Sequence, residues 1–259
     1  MVFSLDWGPM EKTKPSLIEA KLVHKKQLTP DVIELHFESN PSFSFQPGQF
    51  YSVIVPGAGP GGRDLRRAYS IASGPENRLM ELCVKMVEGG PGTQYLNSLK
   101  IGDTMKGMAP YGDFVYKTGS HKDVVFIATG TGIAPYRSML YSKIYAENKP
   151  RSVKLLFGAR DQSDLLYVDE LRPILDENLI LMLSRCNDEV PGCHKGRVTD
   201  WLRGNTVSIH WHETEFYLCG NGAMIDEVKQ ILAGHGVEKH SIHQEVYYKP
   251  KPGEMHAAQ

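Results

Sequence analysis

Arg67-Ala68-Tyr69-Ser70 places a guanidinium, an aromatic plane and a hydroxyl within four consecutive residues. Along a strand, Arg67, Tyr69 and Ile71 would share one face and Ala68 and Ser70 the other. The first face then offers a planar cation for phosphate and a ring for a flat heterocycle. A buried tyrosine beside a surface arginine accounts for the same residues without any ligand. A second cluster, Gly89-Gly90-Pro91-Gly92-Thr93, runs into a short apolar-patterned segment. Helix-entry N–H groups and a threonine hydroxyl suit a phosphate, whereas a threonine-capped loop is the plain alternative. The third is Thr129-Gly130-Thr131-Gly132-Ile133-Ala134-Pro135, directly after the apolar run 124–128. A buried strand, glycines and an immediate helix let the backbone approach a pyrophosphate, and Pro135 suits a first helical turn. Any tight strand-to-helix turn also favours glycine. Cys219-Gly220 closes another apolar run, and its cysteine reads equally well as a small buried hydrophobe.

The elements that must position these residues fall into two sets. In the first half, short runs at 17–24, 32–38, 49–55, 67–72, 79–87 and 104–108 are rich in β-branched and aromatic residues. Turn residues separate them, and a single short helix is expected near 94–99. That pattern predicts an antiparallel barrel or sandwich. After residue 119 the rhythm changes to apolar strands at 124–128, 153–157, 179–183, 215–219 and 242–247. These alternate with helical segments at 133–147, 167–175 and 223–233, the pattern of a parallel α/β sheet. The expectation is a two-domain chain, a β-barrel over 1–119 and an α/β domain over 120–259, with 248–259 as a flexible tail.

Composition narrows the functional classes. The 259 residues carry 29 Lys and Arg against 30 Asp and Glu, so no basic excess points to nucleic acid. No apolar run approaches a bilayer span, and residues 1–14 lack the pattern of a secretory or transit segment, so a cytoplasmic protein without membrane insertion is expected. Four cysteines are too few for a disulfide scaffold, and Cys186, Cys193 and His194 fit no common zinc spacing, so no metal is expected. No C-x4-C-x2-C run is present to hold a plant-type iron–sulfur cluster.

Taken in order, Arg67-Ala68-Tyr69-Ser70, Gly90-Pro91-x-Thr93, the 130–135 segment and Cys219-Gly220 resemble the ferredoxin–NADP reductase superfamily. Pro47-Gly48-Gln49-Phe50 and Pro110-Tyr111-Gly112-Asp113-Phe114 resemble landmarks of its FAD barrel, and the likeness is strongest to bacterial-type members. The resemblance implies that Arg67 binds an FAD phosphate, Ala68 lies in the flavin-binding strand, Tyr69 stacks on the isoalloxazine and Ser70 points to flavin N5. It implies that Pro91, Gly92 and Thr93 hold the pyrophosphate. Gly130, Thr131 and Gly132 would contact NADP(H), with Cys219 and Gly220 beside the nicotinamide and no nucleophilic role for the thiol. Glu245-Val246-Tyr247 is similar to the ending of plant-type reductases, where the carboxyl neighbours the site and the aromatic covers the flavin; Tyr248 competes with Tyr247 for that role.

The implied activity is hydride transfer between nicotinamide C4 and flavin N5, with ferredoxin or flavodoxin as the separate one-electron partner. An NADH-dependent oxygenase reductase component, or a cytochrome b5 reductase-like enzyme, is the alternative. Coenzyme choice rests on Arg160 after the second α/β strand, on Ser184-Arg185, similar to the Ser-Arg pair that holds the 2′-phosphate in plant-type reductases, and on Arg197, in a segment that resembles one from which bacterial-type members supply an arginine. Three arginines at the ends of neighbouring elements favour a 2′-phosphate if they are more than solvated charges. Asp161 would serve as the ribose ligand of an NAD enzyme.

Overall fold

The computed structural model describes residues 13–248 apart from Thr118, Ser120 and Asn187, with only the backbone of Tyr248. The expected tail beyond Tyr248, and the side chain of Tyr248 itself, lie outside the described residues.

The N-terminal sheet contains β1 (Ser16–Thr29), β2 (Val32–Asn40), β3 (Phe50–Val55), β4 (Leu65–Ser70), β5 (Met80–Lys85) and β6 (Thr104–Tyr111). Their order is β4-β3-β6-β1-β2-β5, with every pairing antiparallel. A bridge between Ile71 and Leu82 joins the two outer strands and closes the sheet into a barrel. Alternation drives the closure: in β1, Ile18, Ala20 and Leu22 are buried while Glu19 and Lys21 face water. Leu35, Phe37, Val53, Leu82 and Val84 complete that interior, and α1 (Pro91–Ser98) adds Leu96.

The C-terminal sheet is parallel throughout. It contains β7 (Asp123–Thr129), β8 (Val153–Ala159), β9 (Leu179–Leu183), β10 (Cys193–Lys195), β11 (Thr214–Asn221) and β12 (Ile242–Tyr248), in the order β10-β9-β8-β7-β11-β12. Helices α2 (Ala134–Leu140), α3 (Lys143–Glu147), α4 (Val168–Leu175), α5 (Val198–Gly204) and α6 (Gly222–Gly234) complete this half. Both faces are covered, which is why β7 reads as a continuous apolar run. Phe126 and Ala128 pack with Tyr136 and Leu171 on one side, while Val125 and Ile127 pack with Leu202, Val228 and Leu232 on the other. The first of these cores also takes in Val32, Ala72 and Cys83 from the barrel, so the two halves share buried apolar surface.

Two expectations change in detail. The helix foreseen over 133–147 is a 3-10 turn at Gly130–Ile133 followed by α2 and α3, because the Ser142 hydroxyl accepts the Tyr145 N–H and restarts the helix. The sequence reading also lacked β10 and α5. A three-residue strand whose side chains are half-buried or exposed, and a seven-residue helix, are too short to show a periodicity.

At the centre of the shared core, the Phe126 ring lies 4.7 Å from that of Tyr136 and 5.4 Å from that of Tyr217. Phe126→Ala should cost about 3–5 kcal/mol of unfolding free energy in urea titrations, the range for emptying an aromatic site.

Candidate active site at the junction of the two sheets

The chain leaves β7 toward β8 on one side of the sheet and returns to β11 on the other. Ligand-binding crevices form outside the C-terminal ends of strands at such a reversal. Here that end carries the 130–132 turn after β7 and Cys219-Gly220 at the end of β11. Gly132 packs directly on the Cys219 carbonyl, so a Cβ at residue 132 would collide with backbone. The Asn221 N–H donates to Thr129 Oγ1 at 3.1 Å, tying the two strand ends together. Its side chain also accepts the Ala223 N–H and caps α6. The sequence reading did not single out Asn221, although an asparagine between a strand-ending glycine and a helix is a cap signal.

The end of β4 meets the end of β12 at this crevice. Ser70 Oγ donates to Glu245 Oε2 at 2.8 Å. Parallel register puts Glu245 beside Cys219 and Val246 beside Gly220. Burial pushes the Glu245 carboxyl up to about 7, with the Ser70 hydrogen bond acting in the opposite direction. Cys219 is fully buried, and burial drives its thiol well above the usual range. A thiol held protonated in this way is inert, which leaves it a packing role. Tyr247 leaves 39% of its surface exposed. Its hydroxyl is turned inward, and burial, with Cys219 and Glu245 nearby, raises its pKa well above normal.

Arg67 and Tyr69 lie together under the start of α1. A Cβ at Gly92 would stand 2.7 Å from Tyr69 Oη and 2.9 Å from Arg67 Cγ, so a larger residue would displace one of these side chains. Burial raises the Tyr69 hydroxyl to about 12, so it remains a neutral phenol. Arg67 is exposed, with one guanidinium nitrogen donating to the Arg66 carbonyl at 2.9 Å. Ala68, between them, is exposed as well. Gly90 is the helix cap and Pro91 the first residue of α1, so the first-turn N–H groups belong to Gly92 and Thr93. The Thr93 hydroxyl is turned back, donating to the Gly90 carbonyl at 3.0 Å and accepting the Val87 N–H at 3.3 Å. Within α1, the phosphate-facing capacity therefore lies in backbone, with that hydroxyl closing the loop. An exposed arginine, a ring beside it, a helix entrance narrowed to glycine and the half-exposed Tyr247 ring fit a flat cofactor with a diphosphate tail.

At the far end of the same sheet edge, Arg160, Arg185 and Arg197 follow β8, β9 and β10, and all three are exposed. Backbone bonds hold these loops together. The Arg185 N–H donates to the Arg160 carbonyl at 2.9 Å, the Ser184 N–H to Ala159 at 3.1 Å and the Gly196 N–H to Leu183 at 2.9 Å. The Ser184 hydroxyl donates to the Ala159 carbonyl at 3.3 Å. Around Asp161, the Asp164 carboxylate accepts the Asp161 N–H at 3.2 Å and the Asp161 carbonyl accepts the Asp164 N–H at 3.1 Å.

Comparison with known proteins agrees with this geometry. Residues 19–116 match the model of an oxidoreductase FAD-binding domain, and residues 126–230 that of an oxidoreductase NAD-binding domain. Ferredoxin–NADP reductase B of Sorangium cellulosum (strain So ce56) is 35% identical over 248 residues, covering 88% of this chain and 97% of the relative. The chain belongs to the ferredoxin–NADP reductase superfamily. It is a flavoprotein oxidoreductase of that superfamily, with one FAD-binding and one NAD(P)-binding domain. The propane 2-monooxygenase reductase component of Mycolicibacterium smegmatis (strain ATCC 700084 / mc(2)155) is 32% identical over 235 residues, covering 86% of this chain. The chain spans 65% of that relative's length. Among solved structures, a ferredoxin NADP+ reductase from Neisseria gonorrhoeae with bound FAD and NADP superposes with a TM-score of 0.78 at 24% identity, covering 92% of this chain and all of that one. Amycolatopsis cytochrome P450 reductase GcoB gives 0.79 at 25% identity, covering 91% and 71%. None of the described helices is long and apolar enough to cross a membrane.

The raised Glu245 pKa has a consequence for stability. Between the unfolded value near 4.5 and the folded value of about 7, the folded chain holds a proton that the unfolded chain has released. Stability from this group is full below that window and falls as pH rises through it, by at most about 1.4 kcal/mol per pH unit. Glu245→Gln should flatten this component when Tm is compared between pH 5 and pH 8 in the flavin-free chain.

Proposed function

We propose that this reductase moves hydride between NADP(H) and FAD and passes single electrons to a separate ferredoxin or flavodoxin. FAD, when bound, supplies the interchange between two-electron and one-electron chemistry. The chain's own residues bind, orient and exclude water around it. Arg67 and the Gly92 and Thr93 N–H groups are assigned to the diphosphate, and Tyr69 and Tyr247 to the two ring faces. Ser70, which donates to Glu245 at 2.8 Å, is assigned to the reacting edge. The 130–132 turn and Gly220 receive the coenzyme backbone, while Cys219 shapes the wall behind the nicotinamide.

The observation that carries the NADP reading is the backbone-linked group of loops that bear Arg160, Ser184, Arg185 and Arg197. Exposed arginines on neighbouring, backbone-linked loops suit a 2′-phosphate. The carrier assignment draws on the likeness to the Sorangium protein named a ferredoxin–NADP reductase. The match to a monooxygenase reductase component favours a second reading, an NADH-dependent supplier of electrons to an oxygenase.

Stopped-flow reduction with each coenzyme, followed by ferredoxin and flavodoxin as acceptors, separates the two readings. The purified chain should take up FAD in preference to FMN and prefer NADPH. Arg185→Ala should weaken NADPH binding by about 1.5–3 kcal/mol, the range for hydrogen bonds to a charged group, and leave NADH kinetics nearly unchanged. A native preference for NADH would replace the first reading with the second. Ser70→Ala should slow the single-turnover hydride step more than it weakens coenzyme binding; an effect confined to affinity would remove Ser70 from the reacting edge.

A further inference from the structure

The 130–132 turn belongs to the C-terminal sheet and Ser70 to the barrel, so the redox geometry depends on something that fixes one against the other. Helix α2 begins immediately after the turn, and its Arg137 and Ser138 reach across to the barrel. One Arg137 nitrogen donates to the Ala72 carbonyl at 2.9 Å and also pairs with Glu81 on β5. Its Nε donates to Glu170 on α4 at 2.8 Å. Aromatic rings lie against the guanidinium, with its carbon 4.7 Å from the Tyr167 centroid and 5.5 Å from that of Tyr141. The Ser138 hydroxyl, fully buried, donates to the Ser73 carbonyl at 2.7 Å. Ala72 and Ser73 follow Ser70 by two and three residues.

Other features of this contact show a built site. The Arg137 side chain is only 12% exposed, although arginine is usually a surface residue. Tyr167, whose ring covers it, has φ of 58°, a left-handed backbone that is uncommon for residues other than glycine. Such conformations persist where the surrounding packing over-determines them. Glu81 also lies opposite His36 in the β2–β5 register, and His36 Nε2 meets Glu34 Oε1 at 2.8 Å, so the carboxylate that receives Arg137 sits in its own polar array.

We propose that Arg137, assisted by Ser138, is the positioning residue that sets the 130–132 turn against the Ser70 segment. The proposal rests on the assignment of that turn to the nicotinamide coenzyme. The guanidinium touches neither Ser70 nor Glu245; it acts through the Ala72 carbonyl and Glu81. Its planar fork serves several acceptors at once, which a lysine ammonium does not reproduce in the same geometry. Displacement of reacting groups by about 1 Å costs roughly a hundredfold in rate, so a contact of this kind should appear in the chemical step more than in affinity.

The test uses the FAD-loaded full chain and the variants Arg137→Met, Arg137→Lys and Ser138→Ala, with two readouts. Hydrogen exchange followed by mass spectrometry should show peptides covering 71–74 and 130–133 exchanging at least roughly tenfold faster in Arg137→Met, with β8 and β9 unchanged. In stopped flow, the limiting rate of flavin reduction by NADPH should fall roughly 10- to 100-fold, with the coenzyme dissociation constant within about twofold of native. Arg137→Lys should recover part of the rate, and Ser138→Ala should lie between native and Arg137→Met. If Arg137→Met does not fold, the Lys and Ala variants carry the same comparison. Native exchange in both peptides overturns the proposal. So does faster exchange with a native limiting rate, or a defect confined to coenzyme affinity. A native chain that accepts no hydride from NADPH refutes the coenzyme assignment and with it the rate arm, while exchange still decides whether Arg137 couples the two segments.

Discussion

A serine hydroxyl at the end of a barrel strand donates to a buried carboxyl at the edge of a separate parallel sheet, 175 positions later in the chain. Such a bond exists only if the two sheets meet in one fixed orientation, and the other features of the site depend on that meeting. The carboxyl is raised to about 7 because the junction excludes water from it. The same exclusion keeps the Cys219 thiol protonated and the Tyr247 hydroxyl neutral. A water-poor pocket whose groups keep their protons below about pH 7 would suit the hydride transfer proposed for it.

The surrounding architecture can be understood as the means of making that junction reproducible. The parallel sheet buries both its faces, and one of its two cores extends into the barrel through Val32, Ala72 and Cys83. Apolar burial of this kind brings the halves together without specifying their angle, because it is non-directional. Direction comes from the polar contacts inside it, where Arg137 and Ser138 meet the barrel's Ala72, Ser73 and Glu81. Unpaired, a buried guanidinium would be costly, so these partners constrain one arrangement more tightly than packing alone.

Much of this was legible in the sequence because the signals were local. Alternation in β1, the continuous apolar run of β7 and the glycine turn after it each follow from the environment of a single strand or turn. The barrel and the parallel sheet agree with the expected fold class. What escaped was either too short for a period, as with the three residues of β10, or created by tertiary contact. Thr93 looks like a free hydroxyl in sequence, yet it folds back onto Gly90 and Val87 because the loop needs those bonds. Arg137 follows the glycine motif as an unremarkable helical arginine, and only the fold reveals the two carboxylates and two rings around it. The contact between Ser70 and Glu245 has no local signature, since neither residue type is unusual in a strand, and only the family resemblance put both residues at one site.

Ser70 and Glu245 are proposed to act as one unit across the junction. A double-mutant cycle of Ser70→Ala and Glu245→Gln, read in the limiting rate of flavin reduction in single turnover, tests it directly. The two losses should be strongly non-additive, with a coupling energy of about 0.5–3 kcal/mol, as found for residues in one hydrogen-bonded network. Losses that simply add would mean that the two groups act independently, and would contradict this account.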